Sequence, residues 1–319
     1  MLFNVCALYI KIMNNENQTI HKSNDNLTIY GWNEKLNQLK QESIYSTLAH
    51  GRVSIVHRTC YEVISGNGLF QCELTGNMMY GKSDDELPCT GDWVIFQPFD
   101  EHKGIIVDRL PRERTLYRKK SGTVADKQAI ASYVDKAFIV QSLDDNFNVR
   151  RVERFMVQIM EENISSVLVL NKADLDFDRQ SVEEQIKHIS SQIPVFFTSI
   201  HQLETIVRLR KSISEGETVV FVGSSGVGKS SLVNALCEKP VLLTSDISLS
   251  TGKGRHTSTR REMVLMDSSG VLIDTPGVRE FGLAIDNPDS LAEVLEISDY
   301  AELCRFKDCK HINEPDVLF

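Results

Sequence analysis

Residues 223–231 read GSSGVGKSS, and no other stretch of the chain restricts the possible fold as much. The pattern G-x-x-x-x-G-K-[ST] works where a strand feeds a glycine-rich turn into a helix N-terminus. Successive backbone N–H groups and the positive end of the helix dipole then converge on one anion. TVVFVG before it predicts a buried strand, and SSLVNALC after it predicts a helix. The anion such a turn suits is a phosphate chain. Gly223, Ser224, Ser225, Gly226, Val227, Gly228 and Ser231 would wrap it, Lys229 would reach its β- and γ-phosphates, and the Ser230 hydroxyl would ligate Mg²⁺. A chance Gly/Ser-rich loop is the competing reading, and it leaves the flanking strand and helix unexplained.

A phosphate loop specifies a nucleotide without specifying the base, so the partners at other strand ends matter. Downstream, VLIDTPG sets Asp274 and Gly277 at the end of an apolar run, as a carboxylate near Mg²⁺ and a backbone N–H facing the γ-phosphate. Upstream, VLVLNKADL delivers Asn171, Lys172, Ala173 and Asp174. A carboxylate at Asp174 accepts from both the N1–H and the exocyclic amine of guanine, a donor pair that adenine lacks. Guanine is therefore the predicted base. PVFFTS brings Thr198 and Ser199 to the next strand end, where guanine nucleotide proteins close the pocket over the base. NKAD precedes the phosphate loop by about fifty residues, the reverse of the usual order, so the chain reads as circularly permuted.

That order, together with GKGRHTSTR between the phosphate loop and DTPG and a terminal CRFKDCKHINEP, resembles the ribosome small subunit-dependent GTPase A family (RsgA, also called YjeQ), from Gly31 to Pro315. The resemblance implies a bacterial 30S-subunit assembly GTPase of α/β class. Its expected parts are a flexible tail over residues 1–30, an OB-type RNA-binding barrel over 31–112, a permuted GTPase domain over 113–284 and a zinc-binding region over 285–319. It further implies the 30S subunit and its 16S rRNA as partners, GTP and GDP as ligands, Mg²⁺ with the nucleotide, and one Zn²⁺. A cytoplasmic monomer with no membrane attachment is expected.

Composition is compatible with this. A chain of 319 residues is long enough for two or three domains. Its net charge of −9 excludes a uniformly basic nucleic-acid-coating protein, so RNA contact has to come from local patches. Seven cysteines without framework-like spacing, and no secretory signal, indicate a reducing compartment. The opening MLFNVCALYIKIM is apolar but too short to span a bilayer, and reads as a start-site extension or tail.

Residues 14–28 are rich in Asn, Ser and Thr and predict a flexible segment, with order beginning near Trp32. From Arg52 the runs RVSIVHRTCYEVIS, GLFQCELTG, DWVIFQPF and GIIVDRL, separated by GNG and TGD turns, predict a small closed barrel of OB type. Tyr61, Phe70 and Tyr80 in it are expected as core or surface fillers rather than as platforms for stacked bases. RLPRERTLYRKKSG, residues 109–122, carries six Lys/Arg against one Glu. It is either a grip on a phosphate backbone or a solvated linker, and the resemblance favours rRNA contact. Beyond it strands and helices alternate, which predicts a mostly parallel sheet with ligands at the strands' C-terminal ends.

LSTGKGRHTSTRRE is the candidate switch I. Ser258 is the favoured second Mg²⁺ hydroxyl, with Thr257 as the alternative, because the family pattern His-Thr-Thr-Thr becomes His256, Thr257, Ser258, Thr259 here. Many GTPases place a Gln after DxxG to orient the attacking water. Val278 stands there and can neither donate nor accept, so His256 is the catalytic candidate, as the resemblance also implies, against a plain exposed loop histidine. Gly226 replaces the Asn of potassium-stimulated relatives, so that cation dependence is not expected. Near the end, Cys304, Cys309 and His311 are soft ligands suited to Zn²⁺. The fourth Cys of the family pattern is missing. The chain is altered or truncated there, or Asp316, Glu314, water or a distant Cys completes a weaker site; metal-free structural residues are the alternative.

The predicted function is GTP hydrolysis in late maturation of the small subunit, with release on hydrolysis. A GTP-dependent ribosome-binding regulator whose hydrolysis is incidental is the second reading, and NKAD argues against a third, an ATP-using enzyme.

Overall fold

A computed structural model describes residues 27–79, 83, 85–119, 127–238, 262–266 and 270–274. Its first element, a 3-10 turn at Leu27–Tyr30 with Leu27 buried, comes before Trp32. Helix α1 (Glu34–Glu42) follows, opened by Asn33, whose side chain accepts from the Leu36 N–H at 3.1 Å.

Five short strands then close on themselves: β1 (Ala49–Val56), β2 (Tyr61–Ser65), β3 (Gly68–Leu74), β4 (Trp93–Asp100) and β5 (Lys103–Arg109), with one turn of helix, α2 (Gly76–Met79), after β3. The hydrogen-bonded order is β1-β2-β3-β5-β4 and back to β1, parallel between β3 and β5 and antiparallel elsewhere. This is the OB-type barrel the strand spacing predicts, and closure leaves no open sheet edge. Alternating residues turn inward, so Val53, Val63, Phe70, Cys72, Val94, Phe96 and Ile106 form its core. Tyr61 and Phe70 belong to that core, whereas Tyr80 lies outside the described residues.

The basic run after the barrel has partners inside the molecule, an outcome that neither reading of the sequence anticipates. Arg112 is almost fully buried and grips the Asp92 carboxylate, with Nε at 2.9 Å from Oδ1 and Nη2 at 2.7 Å from Oδ2. Arg114 pairs with Asp135 at 3.0 Å, and Arg118 Nε donates to Gln128 Oε1 at 2.9 Å. The segment ends in a hairpin, β6 (Leu116–Lys119) with β7 (Lys127–Ala131). Arg112 thus ties the segment to the barrel, Arg114 ties it to the start of the sheet, and Arg118 acts within the hairpin.

The remaining elements alternate: β8 (Lys136–Ser142), α3 (Val149–Glu161), β9 (Ser165–Asn171), α4 (Arg179–Gln185), α5 (Lys187–Ser190), β10 (Val195–Thr198), α6 (Leu203–Lys211), β11 (Thr218–Val222), α7 (Lys229–Leu236), β12 (Glu262–Leu265) and β13 (Val271–Asp274). The strand order is β10-β9-β8-β11-β13-β12, parallel except for β12. The central strands are buried on both faces, which explains their unbroken apolar runs. Ile139, Leu168, Leu170, Val220 and Val222 face Val152, Met156 and Ile159 of α3. Phe138, Val140, Val167, Val169, Val219 and Phe221 face Ile206 and Leu209 of α6 and Leu232, Val233 and Leu236 of α7. Each such fully buried side chain contributes about 1.5–3 kcal/mol.

One backbone pairing, Ile55 with Glu262, joins β1 of the barrel to β12, so the sheet runs on into the barrel. Arg52 secures the same junction. Buried to 1% exposure, it donates to Gly91 O at 3.0 Å, to Thr218 Oγ1 at 2.9 Å, and to the carbonyls of Tyr30, Ser132 and Tyr133.

Candidate functional site

The elements that carry the sequence motifs end on one edge of the parallel sheet. β11 passes into the loop Gly223–Gly228, and α7 begins at Lys229. Two glycines are needed there for separate reasons. Gly228 holds φ +91°, and a Cβ on it would lie 2.3 Å from Asn171 Nδ2; Gly223 holds φ +148°, where a Cβ would lie 2.4 Å from the Val140 carbonyl oxygen. The loop therefore packs directly on β8 and on the end of β9. Lys229 folds back over it, with Nζ donating to the carbonyls of Gly223 at 2.7 Å and Ser224 at 2.6 Å. Ser225 and Gly226 are exposed at the tip, Val227 is buried beneath, and Ser230 and Ser231 occupy the first turn of α7.

NKAD meets this loop from the neighbouring strand. Asn171 is buried, and its Nδ2 donates to the Val227 carbonyl at 2.8 Å while its Oδ1 accepts from Thr198 Oγ1 at 3.3 Å. It thus ties the two motifs and β10 together, a structural task that the base-reading expectation for NKAD does not describe. Lys172 takes a left-handed backbone, φ +62°, and its ammonium sits 2.7 Å from Asp144 Oδ2. The Ala173 N–H donates to the Thr198 carbonyl at 3.0 Å, which leads the chain out to Asp174, whose side chain is exposed. A hydrogen bond from the buried Ser199 side chain is the main cause that holds Asp174 below the usual carboxylate range, with the charges of His201 and Lys172 adding to it. Like any exposed aspartate, Asp174 is ionised near neutral pH, and its carboxylate is open to solvent at this edge.

Asp144, which the sequence reading passes over, is the second carboxylate of this edge. Its partial burial opposes ionisation, but hydrogen bonds from Lys172, the Ser142 hydroxyl and the Asn146 N–H outweigh it and bring the group down to about 2. A signal for it exists in LDDN, which follows the apolar run of β8 as NKAD follows that of β9. Arg151, on the first turn of α3, is the other omission, with Nη1 3.1 Å from Ser224 Oγ.

Asp274 ends β13, which pairs in parallel with β11 through Val220 and Ile273, so its backbone lies beside the strand that feeds the phosphate loop. A serine hydroxyl and a carboxylate are hard oxygen donors of the kind Mg²⁺ takes. Gly277, His256, Ser258 and Thr257, and the cluster Cys304, Cys309 and His311, lie outside the described residues. Among the described residues no group of three His, Cys, Asp or Glu side chains is placed to hold a metal, and no helix is long and apolar enough to cross a membrane.

An OB-type barrel followed by a phosphate-loop sheet in which NKAD comes first defines the class: a circularly permuted GTPase with an N-terminal barrel. The family model for the RsgA GTPase matches residues 109–284. A small ribosomal subunit biogenesis GTPase, RsgA 1, of Bacteroides thetaiotaomicron is 75% identical over 292 residues, 92% of this chain and 82% of that protein. The RsgA of Methanosarcina acetivorans is 38% identical over 314 residues, 95% of this chain and 83% of that protein. The chain belongs to the RsgA GTPase family. Among solved structures, YjeQ from Thermotoga maritima superimposes with a TM-score of 0.62 at 25% identity, over 84% of this chain and 88% of that one. YloQ, described as a circularly permuted GTPase, shares the fold at a TM-score of 0.59 and 20% identity, over 86% of this chain and 88% of its own.

Proposed function

We infer that the protein is a GTP hydrolase that serves the biogenesis of the small ribosomal subunit. The observation that carries this is the Asn171 bond to Val227, which joins the guanine-type motif and the phosphate loop into one site, in a chain 75% identical to an RsgA. In this reading Asp174 takes the guanine edge, Thr198 and Ser199 shape the base side, and residues 223–231, Asp274 and Gly277 surround the phosphates. Ser230, Ser258 and Asp274 are the residues that would hold Mg²⁺, whose positive charge neutralises the β- and γ-phosphate oxygens when it is bound. His256 positions the attacking water, a role supported by Val278 standing where many GTPases carry Gln. The γ-phosphate leaves as inorganic phosphate, the water supplying its new oxygen.

The proposal extends to partners. The 30S subunit is bound through 16S rRNA, the protein acts as a cytoplasmic monomer, and GTP hydrolysis releases it. Since Arg112 is almost fully buried on Asp92, it is not a residue that rRNA would reach. A Zn²⁺ at Cys304, Cys309 and His311 is supported by three soft ligands within eight residues. Metal analysis of the purified chain should give one zinc per molecule, lost on Cys309→Ala; a metal-free protein rejects that site.

The test of the main reading compares GTP turnover with and without 30S subunits. Turnover should rise on their addition, and His256→Ala should lose it by about 10²- to 10⁴-fold in both conditions while binding GTP analogues normally. Turnover indifferent to 30S subunits would instead favour a regulator whose hydrolysis is incidental, and a His256→Ala variant at wild-type rate would remove that residue from the chemistry.

A further inference from the structure

Three arginines crowd the start of α3, and only one of them turns to the phosphate loop. Arg150 pairs with Glu153 at 3.2 Å, and Arg154 Nε donates to the Arg150 carbonyl at 3.3 Å. Arg151 is half-buried and makes no ion pair among the described residues. Its Nη1 spans instead from the Asn146 carbonyl, at 3.3 Å, to the Ser224 hydroxyl, at 3.1 Å. Its own backbone is fixed, since its N–H donates to Asn148 Oδ1 at 3.1 Å. The backbone is thus anchored at Asn148 and the guanidinium at the Asn146 carbonyl, apart from its contact with the loop.

Ser224 thus carries a cation on each side, Arg151 at its hydroxyl and Lys229 Nζ at its carbonyl, 2.6 Å away. Two positive side chains beside one small residue give this corner of the loop a positive potential that suits an anion. At the mouth of a phosphate loop that anion is the polyphosphate end of a nucleoside triphosphate. A planar guanidinium suits the task, since it can keep Asn146 and Ser224 while its remaining N–H groups stay available. No carboxylate in the first turn of α3 competes for it.

We propose that Arg151 is a positioning residue for GTP hydrolysis. Through the Ser224 hydroxyl it sets the first turn of the phosphate loop, and it adds a fixed positive charge on the triphosphate side that favours the more highly charged GTP over GDP. This rests on the GTPase reading above.

The experiment measures kcat, KM and GDP affinity for the full-length protein, wild type and Arg151→Ala, Arg151→Lys, Ser224→Ala and the Arg151→Ala/Ser224→Ala pair, with thermal midpoints alongside. Arg151→Ala should lower kcat by about tenfold, the rate equivalent of one charge-assisted hydrogen bond, and leave GDP affinity within about twofold. Arg151→Lys should recover part of the loss, and the double variant should be no slower than the slower single, because the two residues act as one unit. Wild-type kcat in Arg151→Ala overturns the proposal. So do strictly additive losses in the double variant, or a fall in kcat matched by equal losses of GDP affinity and thermal midpoint, which is the pattern of a merely structural arginine. If Arg151→Ala does not fold, Arg151→Lys and Ser224→Ala decide by the same kcat and GDP criteria. Absence of turnover in the wild type would reject the GTPase reading itself, a separate outcome.

Discussion

At the residue scale, Ser199 is the main influence that lowers the Asp174 carboxyl below the usual carboxylate range. An exposed aspartate is ionised near neutral pH in any case, so this influence favours a form that is already an acceptor. Base choice should follow from that chemistry. Asp174→Asn should weaken GTP strongly and improve xanthosine triphosphate, because the amide donates to the xanthine carbonyl where the carboxylate cannot. Competition binding of the two nucleotides checks this, and equal losses for both would take Asp174 out of the base-reading role. Asn171 shows a limit of the motif as a label. Its side chain is spent on Val227 and Thr198, so its replacement should disturb the phosphate loop along with the base side.

At the scale of elements, the ends of β8 and β9 form one polar ledge on which the nucleotide motifs rest. Lys172 is held by Asp144, which is itself held by Ser142 and the Asn146 N–H. Asp144→Asn removes the charge that orients Lys172 and should weaken GTP and GDP alike, by about two- to fivefold for one partly exposed ion pair. Fluorescent-nucleotide titration reads this directly, and unchanged affinity for both would show that Lys172 needs no such partner. The pH dependence has a definite sign. The Asp144 carboxyl sits at about 2, below its unfolded value, so its contribution is fully present above pH 4 and is lost as pH falls from about 4 towards 2. Nucleotide affinity near neutral pH should therefore show no inflection from this group.

At the scale of the molecule, Arg52 links the barrel to the sheet. Burial lowers its guanidinium to about 10, with Asp135 opposing the shift, so it stays charged at neutral pH among carbonyls that depend on it. Arg52→Ala should lower the free energy of unfolding by about 3 kcal/mol, the cost of leaving two or so buried acceptors unpaired. Urea denaturation measures it, and an unchanged midpoint would show that the junction is held by the β1–β12 pairing alone. Thr218, one of its partners, is the first residue of β11, which runs on into the phosphate loop. Arg52 therefore connects the barrel to the strand that feeds the nucleotide site.

The sequence by itself determined the parts. The phosphate loop, NKAD and DTPG are local patterns whose chemistry needs fixed spacings, and their order in the chain already implied the permutation. The strand runs predicted an OB-type barrel because several short strands at that spacing, separated by turn signals, suit one. Tertiary structure decided which polar residues meet. Asp144 with Lys172, Arg151 with Ser224, and Arg112 with Asp92 are 28, 73 and 20 residues apart along the chain, and no local pattern announces such partners. The basic run at 109–122 makes the point most directly. Its composition reads as a surface for phosphate, yet a buried carboxylate two strands away claims Arg112, because an ion in the interior must be paired.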